Sequence, residues 1–316
     1  MNDALKNKAE NLIFKFEFPF SSTIYNKETF HLDYENQIYR QDELFKLIRD
    51  AVPYFALTED ELKRYAEEMN FHEAQNNSWS RISQAQKNKK GDYGELLLFL
   101  LLSVHYKSQK FVTKVRLRSS VKMQVHGYDC AHFTVEGDDV CLWLGEAKFH
   151  QSFNTGFTDA ISSLKDHCCH DFLKNEFSIL QPNIEINRNH SDYKILENIF
   201  QGKSIDKIKF KIPILLTYDC NAVKTNNDID SKFILDMQAE IQKYYSKIDA
   251  TDKTEITNIR NIDFVFILFP LHTVSELKSK LVLPPNMQVK FKPFFCILMA
   301  ISNPVYGSAI RCYNVR

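Results

Sequence analysis

The sequence predicts an α/β protein with a central element order αβββαβ, a mixed sheet flanked by helices. Three observations carry that expectation. A strongly apolar helical segment, Leu96 through about His105, precedes three strand-like segments. The third of these, Val140-Cys141-Leu142-Trp143-Leu144-Gly145, is nearly unbroken in apolar residues yet ends in Glu146-Ala147-Lys148. Beyond a further helical pattern, Phe210 to Tyr218 reads as another buried strand.

Residues 1–85 read as an α+β flank and a candidate partner-docking region. Leu12 to Phe18 alternates apolar with charged residues, the mark of a strand. Asp42 to Val52 has helical spacing at Leu44, Leu47, Ile48 and Ala51, and Pro53 is expected to end that helix. Thr58-x-x-Glu61 has the form of a capping box before a further helix.

Residues 86–316 form the second unit, with a C-terminal extension. Gly91-Asp92-Tyr93-Gly94-Glu95 opens its first helix, and strands follow at Lys110 to Arg118, about Val125 to Val135, and Val140 to Phe149. Glu136-Gly137-Asp138-Asp139 is a hairpin turn. A helix starts around Phe157 or Thr158 and carries Ala160, Ile161, Leu164, Phe172 and Leu173. Pro213 removes a ladder donor from the fourth strand, so an edge position or a bulge is expected there. Asp219 to Asp230 is a surface loop. A helix near Phe233 to Tyr245, a buried strand at Phe264 to Phe269 and a short helix capped by Thr273-x-x-Glu276 complete the pattern.

Composition narrows the function classes. Lysine and arginine total 40, as do aspartate and glutamate, so the formal net charge is zero. A free-standing DNA-binding protein usually carries a basic excess. Neutrality calls for a local basic groove, or a partner that delivers the nucleic acid. Lys87, Lys89, Lys90, Lys110, Lys114, Arg116, Arg118 and Lys122 are candidates for such a groove, or form an ordinary solvated face. No apolar run approaches the ~20 residues of a membrane span, and the N-terminus lacks the apolar core of a signal peptide. The seven cysteines are scattered and form no C-x-x-C, which fits a reducing cytoplasm without a disulfide framework.

The chemistry concentrates between Asp129 and Lys148. Residues i and i+2 of a strand share a face, so Glu146 and Lys148 project together while Ala147 points away. With Asp129 on a neighbouring strand, this set resembles the signature of the PD-(D/E)xK nuclease superfamily, whose core is restriction-endonuclease-like. Phosphodiester hydrolysis there needs a divalent cation, and hard Mg²⁺ (or Mn²⁺) takes oxygen ligands. Asp129 and Glu146 are the natural direct ligands, and the backbone carbonyl of Ala147 a third oxygen. Lys148 is a positioned cation that orients the attacking water, tunes its pKa or stabilises developing charge. Glu95 has two readings: a fourth acidic group that reaches the metal through water, or half of an Asp92-x-x-Glu95 capping box.

Weaker signals read as structure. Asp166-His167-Cys168-Cys169-His170 resembles zinc ligands in composition, but on a helix only His167 and His170 share a face, and structural zinc wants four ligands. His126, His132 and His150 are each either a phosphate contact or a satisfied histidine. Gly202-Lys203-Ser204 lacks the earlier glycine of a phosphate loop, since Glu197 holds that place, so the chain does not bind nucleotide through it.

The segments Gly91 to Glu95, Gly127-Tyr128-Asp129 and Leu144 to Phe149, with Ile212 to Tyr218 and Phe264 to Pro270, are similar to the HamA effector family of the Hachiman anti-phage defence system. The similarity covers about residues 86–300. A nuclease-like partner protein of the Abp system would look similar. The resemblance implies a DNase with a superfamily 2 helicase subunit, HamB, that restrains it until phage or damaged DNA is engaged. Two other readings stay open: a non-catalytic regulatory or binding subunit with a nuclease-like fold, and a stand-alone restriction-type endonuclease.

Overall fold

The computed structural model describes residues 1–18, 24–85, 92–113, 128–136, 139–180, 193–194, 196–197 and 208–282. Two strands, β8 (Lys209–Asp219) and β9 (Ile262–Leu271), are buried along almost their whole length. Strands apolar on both faces belong inside a sheet covered on both sides. β8 and β9 accordingly pair in parallel near the middle of it. Beside β9 stand β2 (Asn26–His31) and β1 (Phe14–Lys15). Beside β8 stand β7 (Asp139–Phe149), β6 (Cys130–Glu136) and β5 (Gln109–Thr113). The order is β1-β2-β9-β8-β7-β6-β5, parallel from β2 to β7 and antiparallel at both flanks. A separate hairpin joins β3 (Tyr34–Glu35) to β4 (Ile38–Tyr39).

The α-helices among the described residues are α1 (Asp3–Glu10), α2 (Gln41–Ala56), α3 (Glu59–Glu67), α4 (Phe71–Ala85), α5 (Asp92–Val104), α6 (Phe153–His167), α7 (His170–Leu180), α8 (Asn221–Thr225), α9 (Ser231–Asp249) and α10 (Val274–Val282). A helix that is apolar all round must be buried all round, and Leu96 to Leu102 of α5 are fully covered. On the sheet side, Gly94 lies against Ala147 and Phe149, and Leu98 fills the space above Gly145. On another side Phe99 meets Phe55 of α2 edge-on, with ring centres 5.6 Å apart. The opposite face of β7 is covered by α6, whose Gly156 lies against Lys148 and His150. Phe153 of α6 stacks in turn on Tyr244 of α9 at 4.0 Å.

The order helix, three strands, helix, strand is observed, with differences that have physical causes. Pro53 does not stop α2; it sits in the last turn, and the Leu57 N–H still reaches the Pro53 carbonyl at 3.0 Å. Only the single bond that the missing proline N–H would have made is lost. Pro213 lies neither at an edge nor in a bulge. It sits in central β8, paired with Val265 of β9, and on the β7 side pairing lapses at Pro213 and Ile212 without a change of register. The helix expected from Phe157 starts at Phe153, capped by Ser152, and breaks at Cys168 and Cys169 into α6 and α7. Thr58 and Glu61 do form a capping box. Thr273 and Glu276 do not: Gln41 accepts the Thr273 N–H, Asp219 accepts that of Val274, and Glu276 pairs with Lys280. Asp219 to Asp230 contains the short helix α8.

Residues 1–85 supply β1 and β2 to the sheet, and a continuous set of buried side chains runs from Leu5 to Leu281. The C-terminal extension beyond residue 282 lies outside the described residues. Among those described, no helix is long and apolar enough to cross a membrane.

Candidate active site on β7 and α6

Glu146, Lys148 and His150 are alternate residues from the end of β7 into the loop after it. Asp159, Ser163 and His167 are every fourth residue of α6. The chain reverses between them, so the two series meet in opposite order. Glu146 Oε2 lies 3.7 Å from His167 Nδ1, Lys148 Nζ donates to Ser163 Oγ at 2.8 Å, and His150 Nε2 lies 3.3 Å from Asp159 Oδ2. Lys148 Nζ also contacts Glu146 Oε1 at 2.5 Å. The expectation that Glu146 and Lys148 project together is met.

The environment of Glu146 decides its charge. It is 3% exposed, and burial by itself raises a carboxyl pKa. His167 and Lys148 outweigh burial and hold the group down at about 2. The 3.7 Å approach of His167 is an ion-pair distance, longer than a hydrogen bond. The His167 ring is itself clamped. It stacks on Phe172 at 4.5 Å and meets Tyr128 edge-on at 5.5 Å, while the Tyr128 hydroxyl donates to the His167 carbonyl at 3.0 Å.

Asp129 stands immediately before β6, not within the expected strand from Val125; residues 114–127 lie outside the described set. Its N–H donates to the Gly145 carbonyl at 2.9 Å, and its Oδ2 accepts the Ala147 N–H at 2.9 Å. Asp129 is thus pinned beside Glu146 and Ala147. Within a strand, the N–H and C=O of one residue leave on the same edge. The Ala147 carbonyl therefore also faces Asp129, just past the last β6–β7 pair, Cys130 with Gly145.

Glu95 is 3% exposed on α5, the helix that covers the Gly145 and Ala147 face of β7. It approaches from the side of the sheet opposite to Glu146. Asp92 is the first residue of α5 and so lies within its first turn. Burial pushes the Cys130 thiol well up, and the charges of Asp129, Glu95 and Glu146 push it further.

The donors Asp129, Glu146 and the Ala147 carbonyl are hard oxygens, the chemistry Mg²⁺ prefers. Among the described residues no group of three or more His, Cys, Asp or Glu is arranged to hold a metal. Mg²⁺ typically needs only one or two carboxylates beside water and substrate phosphate, so this donor set fits it.

The other sequence candidates fall elsewhere. Lys110 donates to the Tyr54 and Leu57 carbonyls at 2.9 and 2.6 Å, closing the C-terminus of α2, so it is structural. Lys87, Lys89, Lys90, Lys114, Arg116, Arg118, Lys122, His126 and Gly202 to Ser204 lie outside the described residues. His132 is buried in the core against the Ser108 hydroxyl at 3.0 Å. Burial and then Lys110 hold its pKa down at about 3. His167 and His170 do not share a helix face, because the chain breaks between them, and His170 is exposed. Sequence reasoning missed Ser163 and His167 as site residues. Their spacing of four was visible; that α6 docks on the charged face of β7 was not.

Fold and site together define a mixed-sheet α/β protein with an acid–lysine centre at a strand end, sealed on one side by a polar helix face. The chain belongs to the HamA family, which it matches over residues 11–282, and so to the proteins associated with Hachiman antiviral defence. The match takes in β1, β2 and α2, well before the residues that carry the resemblance in the sequence. No curated protein matches the chain.

Proposed function

We propose that this chain is a metal-dependent DNase effector with a PD-(D/E)xK core, held in check by a helicase partner of the HamB type. The observation that carries the reading is the side-by-side placement of Glu146 and Lys148, with the Asp129 carboxylate anchored on the intervening Ala147 N–H. Asp129, Glu146 and the Ala147 carbonyl would hold Mg²⁺ or Mn²⁺, with Glu95 acting through water. When bound, the ion offsets phosphate charge and lowers the pKa of water.

The chain's own residues do the rest. Asp129 and Glu146 would supply the negative oxygens that hold the ion. Lys148, tethered by Ser163, holds a positive charge near the attacking water and the developing phosphorane. His167, clamped by Phe172 and Tyr128, steadies Glu146. Neutral net charge, and no phosphate loop in the sequence, support a partner that engages DNA and consumes ATP.

The test is a plasmid-cleavage assay in Mg²⁺ with the full chain, alone and with its co-purified helicase. Glu146→Gln and Lys148→Ala are each expected to lower cleavage at least ~100-fold. Cleavage that survives both substitutions overturns the assignment. A second reading, a non-catalytic subunit of a defence complex, is favoured by one observation: Glu146 is engaged by Lys148 and His167, and Asp129 by Ala147, so the acids are satisfied within the protein. Calorimetry that shows no Mg²⁺ or Mn²⁺ binding, with or without the partner, supports it.

A further inference from the structure

The three rungs between β7 and α6 differ in access to solvent. The Glu146 side chain is 4% exposed and Lys148 17%, whereas His150 and Asp159 are 34% and 50% exposed. The rungs therefore grade from a buried end at Glu146 to a mouth at His150. The exposed end of the series is thus the His150–Asp159 rung.

His150 is built into that mouth. Its carbonyl accepts the Thr217 hydroxyl at 3.3 Å, and its Cβ rests on Gly156, so the backbone cannot drift. Asp159 of α6 engages Nε2, which leaves Nδ1 for a ligand. A histidine oriented by a carboxylate and one-third exposed to solvent is arranged to interact through its second nitrogen. The charges whose fields reach it are those of Asp159 from α6, Lys278 from α10 and Lys148 from β7. Lys148 and Lys278 are the cations at this end of β7, beside the carboxylates of Asp159 and Glu146. Lys278 also lies over the Phe149 ring, 5.2 Å from its centre, at the same end of β7.

We infer that His150, oriented by Asp159, contacts a backbone phosphate of the substrate strand next to the Glu146–Lys148 centre. The inference rests on the nucleic-acid reading of the site, but not on cleavage. The free ring is a reluctant cation: burial lowers its pKa, Asp159 raises it, and Lys278 and Lys148 lower it. A phosphate beside Nδ1 favours the protonated form, so binding of the contact strengthens as pH falls.

The experiment reads binding of a fluorescent duplex DNA to the full chain in EDTA, at pH 5.5 and 8, across a salt series. Wild type should bind about tenfold tighter at the lower pH, the scale of a hydrogen bond between charged groups. Its slope of log affinity on log salt should be steeper there by about one. His150→Gln should lose both differences and match wild type at pH 8. His150→Lys should keep the steep slope at both pH values, which separates a lost charge from a damaged fold. Equal pH and salt dependence in wild type and His150→Gln overturns the contact, as does an absence of DNA binding by wild type. The nuclease reading fails separately: DNA binding with this His150 signature, but no cleavage in Mg²⁺ with the helicase present, removes the DNase and keeps the contact.

Discussion

Lys148 and Ser163 meet at 2.8 Å because a strand and a helix of this chain advance in step. Two strand residues rise about 6.6 Å and four helical residues about 6 Å. A helix that runs back along its own strand can therefore offer a partner to every second strand residue. Glu146, Lys148 and His150 receive His167, Ser163 and Asp159 in that way. Helix α6 is thus half of the site, and the charged end of β7 is stable in low dielectric because of it.

Ser163→Ala removes a partner of the Lys148 ammonium and leaves Glu146 as its hydrogen-bond partner among the described residues. Stability should fall by about 1 kcal/mol, measured by urea unfolding. Under the nuclease reading, cleavage with the partner present should fall as well, while Ser163→Thr retains most of it. Wild-type cleavage by the alanine variant would show that the tether has no part in the chemistry.

Gly145 lies where Leu98 of α5 meets the sheet. A Cβ there would lie 2.6 Å from Cys130 Sγ and 2.7 Å from Leu98 Cδ2. Both neighbours are buried, so Gly145→Ala should cost about 1–3 kcal/mol by overpacking. Adding Leu98→Ala opens room for the methyl, and the double variant should lose less than the two single losses summed. Additive losses in a double-mutant cycle would place the strain elsewhere.

His132 makes stability pH-dependent. In the fold it stays neutral down to about pH 3, whereas an unfolded histidine takes a proton below about 6.5. Below pH 6.5 the unfolded chain binds the extra proton. His132 therefore costs nothing above that pH, and stability drops toward pH 3 by up to about 1.4 kcal/mol per unit. Glu146 adds a loss in the same direction only below about pH 4.5, as its lowered carboxyl is approached. Unfolding free energies between pH 7 and 5 should fall less steeply for His132→Gln than for wild type. Parallel curves would contradict this.

Glu61 serves two structures at once. It accepts the Thr58 N–H at the start of α3 and pairs with both terminal nitrogens of Arg81 on α4, at 2.9 and 2.6 Å. Glu61→Ala should cost about 2 kcal/mol, more than a cap alone typically contributes. Glu61→Gln keeps the cap and loses the ion pair, so it should fall between. Identical melting of the glutamine and alanine variants would mean that the cap contributes nothing.

Much of the fold was legible because burial leaves its mark on composition. Leu96 to Leu102 announces a helix covered on all sides, and the apolar runs of β8 and β9 announce central strands. Glu146 and Lys148 could be paired from spacing alone, since the period of a strand is two. Pro213 was misread because its missing donor suggested an edge, whereas the parallel sheet tolerates a lapse of pairing at Ile212 and Pro213 toward β7. Thr273 and Glu276 were misread because a cap is local in sequence only when no distant side chain takes the N–H, and here Gln41 does.

By itself the sequence determined which segments are apolar, which strand ends on charge, and that Glu146 and Lys148 share a face of it. Those properties are local, written in the period and polarity of each segment. Only the tertiary structure decided that Ser163 and His167 meet Lys148 and Glu146, that His150 lies at the exposed end of that series while His132 is buried in the core, and that the helix of Glu95 covers the opposite face of β7. Those are choices of docking. A helix of given pattern has several faces it could present, and which one meets β7 depends on the packing of every element around it.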